Sequence, residues 1–69
     1  MSSLHEAVRK VEELLRQAGK SEKECIQARG QISIKAGFML AAITAQTPDD
    51  PTKLAALRAA VRAVLGKEL

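Results

Sequence analysis

The chain has 69 residues, room for a single small domain over 1–69, and a chain of this length buries only about 60% of the surface that its unfolded form exposes. Its hydrophobic share of 46% includes twelve alanines and one aromatic residue, Phe38, so the core has to be aliphatic and thin, which favours closely packed helices over sheets or a wide ligand cavity. The formal charge of +3 permits attraction to phosphate or to an acidic protein face but is modest for a dedicated nucleic-acid binder, and a single cysteine excludes an internal disulfide.

Ser3 and Glu6 have the spacing of a capping box, in which the serine oxygen accepts from a free amide and the glutamate reaches back to the cap amide. A helix is predicted from about 4 to 18. Leu4, Val8, Val11, Leu15 and Ala18 form its apolar stripe, and Gly19 stands ready to take the left-handed stop conformation. The opposite face carries acids and bases that cancel, among them Glu6, Lys10, Glu12 and Arg16 at favourable i, i+4 spacing.

Ser21 and Glu24 repeat the capping box and open a second segment predicted to run to about 46, near 26 residues or roughly 39 Å at 1.5 Å per residue. Cys25, Ala28, Ile32, Ala36, Met39 and Ile43 form one stripe. Gly30, Ile34, Gly37, Phe38, Ala41 and Ala45 lie on or near a second, so this helix needs cover on two sides. From Ala36 to Ala45 only Thr44 is polar. The alternative is a kink or break near Gly30 or Gly37, because each glycine weakens a helix by up to about 1 kcal/mol relative to alanine.

Thr47-Pro48-Asp49-Asp50-Pro51 is the strongest punctuation, with Asp50 before Pro51 matching an N-cap followed by the first helical position. A third helix is predicted over 51–66, with Leu54, Leu57, Val61 and Val64 at three- and four-residue spacing, alanines on its flanks and Gly66 as the stop. Capping and the positive end of this helix's dipole account for Asp49 and Asp50 more simply than a cation does.

Catalysis lacks material. The one histidine, His5, and the one cysteine, Cys25, open different helices, no tyrosine is present, and the carboxylates mostly sit on solvated faces, so the chain reads as no enzyme and as needing no cofactor and no small-molecule substrate. Neither His5 nor Cys25 has a companion at the short spacings of structural or catalytic metal sites. No run of about 18 apolar residues or charged-then-apolar leader stands in the sequence, which sets the expectation of a cytoplasmic protein that neither enters a membrane nor is secreted. Lys53, Arg58, Arg62 and Lys67 make the third helix basic and free of acids, the basis for an alternative reading as a small DNA- or RNA-binding regulator. Against that stand the lack of Asn or Gln for adenine, the long proline-rich turn and the absence of a stacking aromatic on that helix.

A capped leading helix followed by a helical hairpin around Thr47-Pro48-Asp49-Asp50-Pro51, all within about 70 residues, resembles the small helical co-chaperones of bacterial type III secretion needle subunits. The resemblance is one of plan across most of the chain, and no family residue carries over. It implies a non-enzymatic protein that pairs with a larger helical-repeat chaperone and keeps an aggregation-prone subunit soluble.

The sequence therefore leads to an all-α fold of three helices, the last two an antiparallel hairpin with the first packed across it, completed by dimerisation or a partner chain. The expected activity is that of an adaptor or small chaperone. It would contact a protein partner, or itself, through Gly30, Ile34, Gly37, Phe38, Ala41 and Ala45, with Lys53, Arg58 and Arg62 steering an acidic partner.

Overall fold

The computed structural model describes residues 3–69. Three α-helices, α1 (Leu4–Gln17), α2 (Glu22–Ala36) and α3 (Pro51–Leu65), are joined by a tight turn and by a 14-residue connection that holds one turn of 3-10 helix at Leu40–Ala42. Among the described residues there is no strand, and the all-helical expectation holds.

Each helix begins where its cap residue dictates. Ser3 Oγ accepts from the Glu6 N–H at 3.2 Å. At α2 both halves of the capping box form: Ser21 Oγ accepts from the Glu24 N–H at 3.3 Å, and Glu24 Oε1 accepts from the Ser21 N–H at 3.2 Å. Asp50 accepts from the amides of Thr52 and Lys53, with Pro51 in the first turn where no amide partner is required. Gly19 and Gly66 take the left-handed conformation at the ends of α1 and α3, as read from the sequence.

α2 runs antiparallel to both neighbours. Its first half shares a groove with Val64 and Leu65 at the end of α3, while Arg29 reaches back to Glu12 of α1. Leu4, Ala7, Val11 and Leu15 of α1 meet Ala28 and Ile32 of α2 and Leu57, Ala60 and Val61 of α3 in one aliphatic core. α2 and α3 make the closest helix pair, so the predicted hairpin of the last two helices is present.

The second helix is shorter than its apolar pattern suggests. It ends at Ala36, not near 46, because Gly37 turns to φ +81° and closes the helix with its N–H on Ser33 O at 3.0 Å. Two reasons decide for a stop. A helix of roughly 39 Å would run well past α1 and α3, whose 14 and 15 residues span only about 21–22 Å, leaving its second half without cover. By folding back, the chain instead buries Leu40 and packs Phe38 and Ile43 against the core. The apolar run after Ala36 is thus a lid on the open end of the helix bundle. Ser33 secures it: its hydroxyl, buried within α2, accepts from the Leu40 N–H at 3.1 Å.

The rest of this connection is stitched to the start of α1. His5 Nε2 lies 3.0 Å from Thr44 O, and Asp49 Oδ1 accepts from the Leu4 N–H at 2.8 Å. The two adjacent aspartates therefore serve different helices, Asp49 the first amide of α1 and Asp50 those of α3. Local spacing points both to α3, since an aspartate capping a helix 45 residues away leaves no signal in its neighbours.

Ser33→Ala removes the acceptor of a buried amide while raising helix propensity by a few tenths of a kcal/mol, so chemical denaturation should show a net loss of about 1 kcal/mol; a higher midpoint by the full propensity gain would mean that the lid holds without this bond. The Glu24 carboxyl is held below its ordinary value, first by the Ser21 backbone N–H and then by the Ser21 hydroxyl. Its contribution is therefore complete above the unfolded glutamate value of about 4.3 and is lost as pH falls through the lower folded value. A side-chain NMR titration should place Glu24 below glutamate in an unfolded peptide, and Ser21→Ala should bring it only part of the way back, because the backbone N–H at position 21 remains.

Candidate functional site

In an α-helix, residues four apart drift by only about 40° around the axis, so Ile26, Gly30 and Ile34 form one ridge along α2. Ala28 and Ile32, on the other side, point into the core. The ridge consequently faces outward: Ile26 is 56% and Ile34 81% exposed, the latter the most open large apolar residue of the described chain. Between them Gly30 is a notch. A Cβ placed there would meet no atom within 4 Å. Lys23, Gln27 and Gln31 are exposed on the same helix, Glu22 and Glu24 stand in its first turn and Lys35 in its last.

Two contacts on the inner side fix which face α2 turns outward. One is the Ser33 link to Leu40. The other is a two-pronged ion pair in which Arg29 Nε and Nη2 donate to Glu12 Oε1 and Oε2, both at 2.7 Å, joining α2 to α1. Its side chains are about a third exposed, at 37% and 36%, so solvent screens part of its strength.

The residues expected to form one partner stripe are divided by the break at Gly37. Gly30 and Ile34 are on the outward ridge. Gly37 is the helix stop, and Phe38 is half-buried against the core. Ala41 is exposed in the 3-10 turn, while Ala45 lies beyond it in a groove with His5, Val8, Arg9, Ile43 and Thr44. A continuous stripe from Gly30 to Ala45 therefore does not exist, because it required a helix that stops at Ala36. What the sequence reading overlooked is Ile26, four residues before Gly30, and the exposure of Met39, at 62%, just past the stop. The spacing of four between Ile26, Gly30 and Ile34 was the available signal.

The basic residues of α3 occupy mixed surroundings. Lys53 is half-buried, and Arg58 and Arg62 are exposed. Arg62 pairs with Glu68 at 3.5 Å, and Arg58 shares a groove with Glu6, Ala7, Lys10 and Leu69. His5 and Cys25 are held at opposite ends of α1: His5 at Thr44, and Cys25 with its sulfur 3.9 Å from Leu15 O and 3.8 Å from Lys20 O. About ten residues of helical rise, roughly 15 Å, separate them, so they form no nucleophile and base pair. Among the described residues no three His, Cys, Asp or Glu side chains gather as a metal set, and no helix is long and apolar enough to cross a membrane.

Glu12→Ala should lower stability by about 1 kcal/mol in low salt, and the difference should shrink as salt is raised; a salt-independent loss would show that the contact acts by packing alone.

No protein-family model, curated protein or solved structure matches this chain.

Proposed function

We propose that the protein is a non-enzymatic interaction module whose contact surface is the outward ridge of α2. The observation that carries this reading is the exposure of Ile34 at 81% in a chain whose remaining large aliphatic side chains are mostly drawn into or against the core. Isolated exposed apolar residues are common on protein surfaces. Here two isoleucines share one ridge with a glycine between them, which gives a neighbouring helix bulk to grip and room to approach. Binding would bury the ridge against a partner helix, with the surrounding lysines and glutamates setting orientation. An adaptor or a small chaperone of the type that the helical plan resembles is one form of this activity, and it fits a role that needs no cofactor.

The runner-up, nucleic acid along α3, draws on Lys53, Arg58 and Arg62. It has less support, because Glu68 is paired with Arg62 and Glu6 lines the groove beside Arg58, which weakens the field a phosphate chain would meet.

Ile34→Asp tests the proposal without loading the core, since substitutions at open surface sites usually change stability by less than about 0.5 kcal/mol. The immobilised wild-type chain should retain a protein, either another copy or a different chain, that the variant fails to retain while its helical circular dichroism stays the same. Equal retention by both chains would contradict the ridge as the contact surface, and nucleic-acid retention lost in the Arg58→Ala, Arg62→Ala double variant would favour the runner-up.

A further inference from the structure

Gly30 has no explanation inside the folded chain. It lies in the middle of α2, where glycine is the least favourable residue after proline. Its backbone is not in the left-handed region, which among the described residues only Gly19, Gly37 and Gly66 occupy. No neighbouring atom would obstruct a side chain there. Neither conformation nor internal packing therefore calls for glycine at this position, and alanine would make a better helix. A close approach from outside the chain would call for it. Resting on the reading of the ridge as a contact surface, we propose that its occupant is a second copy of this chain, with the two α2 helices packed antiparallel and crossing at Gly30.

The spacing of the ridge is symmetric about that glycine. Ile26 and Ile34 stand four residues to either side. In an antiparallel pair, residues equally distant from the crossing fall level with one another, so Ile26 of each copy lies beside Ile34 of the other. The two glycines meet, and the i, i+4 ridges interlock. Gly30 then does for the pair what it does not do for the single chain, bringing the two backbones close enough for both isoleucines to reach across.

The charges along α2 choose the same direction. Glu22 and Glu24 stand in the first turn and Lys35 in the last. Antiparallel packing holds the two Lys35 side chains at opposite ends of the pair, with Glu22, Lys23 and Glu24 of one copy beside the last turn of the other. Parallel packing would set like charges together. The opposed helix dipoles add to this preference.

The test is the solution mass of wild type, Gly30→Ala and Gly30→Leu, by light scattering with refractive-index detection, since the chain has no Trp or Tyr to absorb. Wild type should reach twice the 7.4 kDa chain mass as concentration rises. Gly30→Ala should weaken the dimer, about tenfold or more in Kd, while raising the thermal midpoint measured at dilutions where both chains are monomeric, by about 4 °C. Gly30→Leu, which needs no space inside the chain, should be a folded monomer. A wild-type chain that stays monomeric at about 1 mM overturns the proposal; if Ile34→Asp then still abolishes capture of a different protein, the contact surface stands and only its occupant changes. A dimer that Gly30→Leu leaves intact also overturns it, by placing the interface elsewhere.

Discussion

The stop at Gly37 is the constraint on which the rest of the molecule depends. By taking φ +81° it ends α2 after 15 residues, a length matched by α3 and close to the 14 of α1. Three helices of similar length can share one core from end to end. The apolar residues beyond the stop then become the lid of that core, with Leu40 buried and Phe38 and Ile43 against it. Burying a leucine side chain contributes about 1.5–3 kcal/mol, and in so small a domain a few such side chains decide whether the fold is stable at all.

The same stop determines what the surface offers. A longer α2 would have carried a second apolar stripe from Gly30 to Ala45, broad enough to demand a large partner. The short helix retains only Ile26, Gly30 and Ile34, a compact ridge about two turns long. Ser33 and Arg29 flank the ridge on one side, one tied to the lid and one to α1, and set the rotation of the helix that leaves Ile26 and Ile34 exposed. Fold and candidate contact surface thus have a common cause in how α2 ends and how it is rotated.

Much of the fold was legible in local sequence. Ser3, Ser21, Asp50 with Pro51, Gly19 and Gly66 mark helix ends through groups a few residues away, and those boundaries agree with the structure to within about two residues. The length of α2 was not legible in the same way. Met39 and Ile43 continue the Ala28, Ile32 and Ala36 spacing, so periodicity cannot distinguish a helix that continues from a chain that folds back over the same core. Glycine at 37 admits both, and the decision rests on the buried Ser33 bond to Leu40 and on the size of the core, both tertiary. Asp49 was misassigned for a related reason: its partner, the Leu4 amide, is distant in sequence. For the candidate site, Gly30 and Ile34 are legible as part of an apolar stripe and Ile26 is not, because in the sequence that stripe continues past Gly37 into residues that the lid takes out of the helix.

Backbone chemical shifts over residues 22–46 test the stop at Gly37 most directly. Helical Cα shifts are expected from Glu22 through Ala36, with a left-handed signature at Gly37 and no sustained helix from Phe38 to Gln46. Uninterrupted helical shifts through Gln46 would contradict the stop, since they would remove the lid and restore a single apolar stripe along a long second helix.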